Sequence, residues 1–127
     1  MTNGELIRRA TDLAGEFRAS DTCTAGSVAA ALVTRAGNVY TGICVDTTCS
    51  LGFCAEHAAV AEMLKGRERE IDRIVAVRAD GSVLLPCGRC RELLWQVTSQ
   101  PMNIAIVVGA DSQISLSELL PRRASRP

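Results

Sequence analysis

Two short stretches constrain this chain more than anything else in it: Cys54-Ala55-Glu56 and, further on, Pro86-Cys87-Gly88-Arg89-Cys90. Three cysteines in this arrangement make a zinc-ligand set that is one ligand short. Structural zinc sites close the tetrahedron with four protein ligands, whereas catalytic ones keep three and leave a position open. Cys87 and Cys90 stand at i and i+3, so one helical turn carries both on one face. Pro86 ahead of them suits a helix start, where its missing N–H costs nothing. Cys54 opens a second apolar-patterned helical stretch. A fold that assembles the set aims two helix N-termini at one point, and the free N–H groups there favour thiolates.

Glu56 lies two residues beyond Cys54, beside the open position. A metal lowers the pKa of its bound water towards neutrality. A neighbouring carboxylate can take that proton and pass it to a ring nitrogen and then to a leaving amine. With Cys54, Cys87 and Cys90 as zinc ligands and Glu56 as the catalytic proton carrier, the set resembles the known signature of zinc deaminases, and the resemblance implies hydrolytic deamination. Neither half is distinctive alone, since an isolated C-x-x-C is as often redox or structural. The two halves in this order, with a helix and a strand between them, are distinctive.

The 127 residues suffice for one hydrophobic core and not for two, so 1–127 reads as a single domain with 122–127 as a loose tail. Lys plus Arg number 14 and Asp plus Glu 14, leaving no net field to draw in nucleic acid or an anionic membrane. The only aromatics, Phe17, Tyr40, Phe53 and Trp95, are poor material for base-stacking platforms. A small-molecule substrate is the expected partner. No run approaches the length of a membrane span, and Met1-Thr2-Asn3-Gly4-Glu5 lacks the basic and apolar regions of a secretion leader. The cytoplasm is therefore the expected compartment. Thiols stay reduced there, and the six cysteines read as ligands or small apolar residues rather than disulfides.

Along the chain, Leu6, Ile7, Ala10, Leu13, Ala14 and Phe17 recur at helical spacing and predict a helix over Glu5 to Phe17, with Thr2 or Asn3 as its cap. Ser27 to Thr34 and Asn38 to Val45 flank Arg35-Ala36-Gly37 as a hairpin. The Cys54 helix runs to Lys65-Gly66, and a buried strand follows around Ile74-Val75-Ala76-Val77. The Cys87 helix carries Leu93, Leu94 and Val97. Ile104 to Val108 is a further strand, and Ser117 to Leu120 is a short turn or helix halted by Pro121. The order α-β-β-α-β-α-β implies an α/β fold, a mixed sheet covered by helices.

Cys54-Ala55-Glu56, Leu85-Pro86-Cys87-Gly88-Arg89-Cys90-Arg91 and Glu118-Leu119-Leu120-Pro121 together resemble the motifs of the cytidine deaminases, including the small blasticidin-S deaminases. The hairpin ending in Tyr40-Thr41-Gly42 matches in position as well. The resemblance runs from about Glu5 to Pro121. It implies a three-layer α/β/α sandwich around a five-stranded mixed sheet. It also implies one zinc per chain held by Cys54, Cys87 and Cys90, Glu56 as proton shuttle, and a homotetramer with active sites near subunit interfaces.

The chain departs from the pattern at three places. Gly26 stands where the family carries an aromatic near the pyrimidine. Cys44-Val45-Asp46 replaces an Asn-x-Glu pair that holds ribose, and Arg122 and Arg123 follow Leu-Leu-Pro where an aromatic is common. Gly26, Cys44 and Asp46 are thus the substrate-binding candidates. They predict a roomier pocket with weak ribose discrimination, or a blasticidin-like antibiotic as substrate.

The competing readings turn on a few residues. His57 lies three positions beyond Cys54, so Cys54, His57, Cys87 and Cys90 could close a structural zinc site in an interaction module. Otherwise His57 offsets thiolate charge, hydrogen-bonds the site, or simply packs. Arg91 either hydrogen-bonds a ligand thiolate or lies on exposed helix surface. Cys23, Cys44 and Cys49 read as small apolar residues before ligands, and Asp46 as a substrate contact or a turn residue.

Overall fold

The computed structural model describes residues 1–122, so the tail expected over 122–127 lies outside the described residues from 123 onward. In chain order the elements are α1 (Asn3–Thr11), β1 (Phe17–Ser20), β2 (Cys23–Thr34), β3 (Val39–Thr47), α2 (Ala55–Lys65), β4 (Ile71–Arg78) and β5 (Val83–Leu84). Then follow α3 (Gly88–Val97), β6 (Ala105–Gly109), β7 (Ser112–Ser115) and α4 (Leu116–Leu119).

Alternation along the central strands decides how the layers stack. Successive strand side chains point to opposite faces. Ala30, Leu32, Ile74, Ala76 and Ile106 therefore share one face, and Ala31, Val33, Val75, Val77 and Val107 the other. Leu6 and Ala10 of α1 cover the second face. Ala59, Val60 and Met63 of α2, with Leu94 of α3, cover the first. The result is the expected three-layer α/β/α arrangement. Burying large side chains such as Leu6, Met63 and Leu94 completely contributes roughly 1.5–3 kcal/mol apiece.

The sheet has seven strands where five were expected. Register explains the difference. β2 runs between β3 and β4, and β1 pairs with the early residues of β2 in line with β4. β5 pairs with β4 on the flank that also carries β6, and β7 closes that edge. The lanes are thus β3, β2, β4 with β1, β6 with β5, and β7. The short strands β1, β5 and β7 carry too little apolar alternation to show in the sequence. Among the described residues only β4 and β6 pair in parallel; the other pairings are antiparallel.

The first helix is shorter than its apolar spacing suggests. Thr2 and Glu5 form a reciprocal capping box, at 3.1 Å to the Glu5 N–H and 2.7 Å back to the Thr2 N–H. The helix nevertheless stops at Thr11, because the Gly15 N–H turns away to donate to the Gly26 carbonyl at 2.7 Å. Phe17 then starts β1 and is exposed.

Two glycines set the ground for the site. A Cβ on Gly42 would lie 2.5 Å from the Ala59 amide nitrogen, so its absence lets α2 lie flat on β3. Gly26 adopts φ +86° inside a β2 bulge: Ala25 pairs with Val45 and Ala29 with Ile43, so Gly26, Ser27 and Val28 all stand opposite Cys44.

Candidate active site

Both cysteine-bearing loops end as helix N-caps. Cys54 caps α2 and Cys87 caps α3, each with extended backbone and no side-chain capping bond. A Ser, Thr, Asn or Asp in that position would occupy an N–H of the first turn with its own oxygen. At α3 the N–H groups of Arg89 and Cys90 are thereby left to face the Cys87 sulfur. Cys90 follows in the first turn of α3 and is fully buried.

The Sγ atoms of Cys54 and Cys87 are 3.6 Å apart, and those of Cys87 and Cys90 3.5 Å. Nδ1 of His57 lies 3.5 Å from Cys90 Sγ, and the ligand atoms of Cys54, His57 and Cys90 all fall within 4.8 Å of one another. Zinc–sulfur bonds of about 2.3 Å in a tetrahedron would separate the sulfurs by about 3.8 Å. The Cys54–Cys87 and Cys87–Cys90 spacings are within a few tenths of an ångström of that edge, and soft sulfur donors suit zinc in chemistry.

Burial pushes the Cys90 thiol far above its ordinary range, with the Glu56 charge adding to it. Burial also raises Cys54, helped by its contact with Cys87. Cys87 goes the other way: burial opposes ionisation, but the N–H groups of Cys90 and Arg89, with the neighbouring thiols, hold it below the usual value. The start of α3 is thus where a thiolate is most favoured. Burial lowers the His57 pKa below the ordinary imidazole value, with a further contribution from the Arg89 charge.

Glu56 is 5 % exposed, in the first turn of α2. Burial raises its carboxyl above the ordinary carboxylate range. A cavity of about 510 Å³ opens beside it. Cys54, Glu56 and Cys87 line this cavity, together with apolar Val28, Phe53, Ala76 and Leu84. His57 and Cys90 do not line it.

Residues 2–106 match the family described as the cytidine and deoxycytidylate deaminase zinc-binding region. The chain belongs to that zinc-dependent enzyme family. Among relatives, this deaminase is 27% identical over 108 residues to blasticidin-S deaminase of Bacillus cereus, covering 78% of this chain and 77% of the relative. A solved glutamate-to-glutamine mutant of cytidine deaminase from Mycobacterium tuberculosis superposes with a TM-score of 0.82 at 29% identity, over 98% of this chain and 99% of that one. The cytidine deaminase structure from the same organism gives 0.77 at 31% identity, over 93% of both chains.

The deaminase places its remaining candidates as follows. Cys44 and Asp46 line the cavity, whereas Gly26 is buried in the bulge and does not. A Cβ there would lie 2.5 Å from the Gly15 carbonyl oxygen, so this backbone has no room for the aromatic that the resemblance led one to expect near this position. Arg91 donates to two backbone carbonyls, Pro86 at 2.8 Å and Leu119 at 3.1 Å, and so ties the start of α3 to α4. Cys23 and Cys49 are absent from both the cavity lining and the donor cluster among the described residues. Ser27, Val28, Ala76 and Leu84 line the cavity without having been singled out in the sequence. A bulge gives no periodic signal, so only the register with β3 exposes Ser27.

Proposed function

We propose that this deaminase hydrolyses the exocyclic amine of a small cytosine-type nucleoside, at a zinc site made by Cys54, Cys87 and Cys90, with Glu56 as proton carrier. The observation that supports the reading is that Cys54, Cys87 and the buried Glu56 share one cavity wall. An open coordination position facing the cavity follows from three sulfurs; a fourth bond from His57 would close it. His57 then serves as hydrogen-bond partner of Cys90.

Zinc held there supplies a Lewis acid that makes water nucleophilic near neutral pH. The Glu56 carboxylate takes a proton from the attacking water and delivers it to the ring nitrogen. It then carries the second proton to the amine, which leaves as ammonia while the ring carbon keeps the oxygen. Burial, which raises its pKa, suits it to accept and release protons in one cycle. Val28, Phe53, Ala76 and Leu84 supply an apolar slot for a planar ring and exclude bulk water.

A second reading, deamination of a larger cytosine derivative, is supported by the likeness to blasticidin-S deaminase. Ammonia release over cytosine, cytidine, deoxycytidine and blasticidin S tests both. Turnover of cytidine supports the first reading, blasticidin S alone supports the second, and neither with zinc bound overturns both.

The assembly is proposed to be a homotetramer. Phe53 and Leu85 are exposed apolar residues on the cavity wall, which supports a neighbouring chain covering the mouth. Light scattering checks this, and a fully active monomer would contradict it. A reducing compartment such as the cytoplasm suits a site built from free thiols.

A further inference from the structure

The turn that delivers Cys87 lacks the fasteners such a turn usually has. Pro86 has no N–H to donate, and Cys87 makes no side-chain capping bond at the start of α3. β5 ahead of it is two residues long, and Leu85 is exposed. Arg91 supplies what is missing. Its Nε donates to the Pro86 carbonyl at 2.8 Å, reaching back from within α3 to the residue before Cys87. Its Nη1 donates to the Leu119 carbonyl at 3.1 Å, at the end of α4. α4 is itself anchored: Leu116 is fully buried, and its N–H donates to the Ile104 carbonyl at 3.0 Å. Pro86 is buried too and shares a small internal void with Glu56. The carbonyl that Arg91 holds thus belongs to a residue adjoining both Cys87 and the proton carrier.

We propose that Arg91 is a positioning residue for the metal site. It pins the Leu85–Cys87 turn by the Pro86 carbonyl, with α4 as the fixed point, so that the Cys87 sulfur is already in place beside Cys54 and Cys90 when metal binds. Both bonds run to oxygen rather than to a ligand sulfur, so Arg91 acts on the metal through backbone position and not through charge. A planar guanidinium holds two acceptors in one fixed geometry, which a lysine ammonium does not reproduce. α4, whose residues do not line the cavity, thereby becomes part of what retains the metal. The inference rests on the three-sulfur ligand reading above.

The test is the rate at which the zinc-loaded protein gives up its metal to 4-(2-pyridylazo)resorcinol, measured with thermal unfolding of the same samples. Arg91→Lys keeps the charge and loses the paired bonds. It should release zinc about tenfold faster or more, in the range found when an outer partner of a metal ligand is lost. Glu68→Gln, beyond the opposite end of α2 from Cys54, controls for general loosening. It should lower the melting temperature and leave zinc release near the wild-type rate. Leu120→Pro removes the N–H that donates to the Leu116 carbonyl at 3.0 Å and so displaces the Leu119 carbonyl. It should speed release from the wild type and add little to Arg91→Lys, because both changes break one chain of contacts. A wild-type rate from Arg91→Lys, or rates that simply track melting temperature across all the variants, would overturn the positioning role. Additive effects of Leu120→Pro and Arg91→Lys would overturn the part given to α4. A wild type that binds no zinc would overturn the ligand reading itself, and this inference with it.

Discussion

Sγ of Cys90 lies 3.5 Å from Nδ1 of His57, and neither residue reaches the cavity that holds Glu56. Whether His57 ligates the metal or only supports Cys90 is what distinguishes a closed site from an open one. If His57 only supports Cys90 from behind, His57→Ala should still hold one zinc per chain, with affinity weakened by about 10–100-fold as for other outer partners. Elemental analysis after dialysis against a weak chelator measures this. Complete loss of metal would make His57 a ligand and the site structural.

Removing a sulfur should act differently. Cys87→Ala and Cys90→Ala should each lose stoichiometric zinc and melt at lower temperature, because assembling the site and folding the loops around it are one process. Zinc content and thermal unfolding on the same preparations check it, and a fully loaded variant of wild-type stability would contradict the ligand set.

Gly26 is held at φ +86° with the Gly15 carbonyl where a side chain would begin. Gly26→Ala should therefore cost roughly 1–3 kcal/mol, the range for strained left-handed backbone, measured by denaturant unfolding. An unchanged midpoint would show that the bulge relaxes freely.

Much of the site's framework was legible because the proposed ligands follow local rules. A helix start and an i, i+3 pair need no tertiary information, and the structure caps α2 with Cys54 and α3 with Cys87. The layer order came from the family resemblance, because Ala30 to Val33 and Ile74 to Val77 are apolar throughout and are buried on both faces. What stayed hidden depends on partners far along the chain. β1 exists because Phe17 pairs with Ala25, and Ser27 faces the cavity because the bulge is read against Cys44. Arg91 finds carbonyls at Pro86 and Leu119, the second 28 positions away. Side-chain type announces none of these.

Acid stability should carry the signature of Glu68. Its carboxylate accepts from Tyr40 Oη at 2.7 Å and Asn38 Nδ2 at 2.8 Å, and these bonds, Tyr40 first, hold its pKa below the ordinary value. A depressed folded pKa gives stability that is fully present above the unfolded value of about 4.3 and is lost as pH falls through the folded value. Tyr40 is raised by the same bond, so its contribution is lost only as pH rises above the tyrosine range. The stability difference between wild type and Glu68→Gln should therefore narrow on acidification below about pH 4. Denaturant titrations of both proteins at matched pH test this, and a constant difference would refute it.

The central claim is that a buried carboxylate carries protons at an open zinc site, and Glu56→Gln tests it most directly. The substitution keeps size and leaves all three sulfurs in place. Ammonia release from cytidine by the zinc-loaded variant should fall by about two orders of magnitude or more while zinc content stays at one per chain. Turnover within a few-fold of wild type, with the metal still bound, would contradict the account.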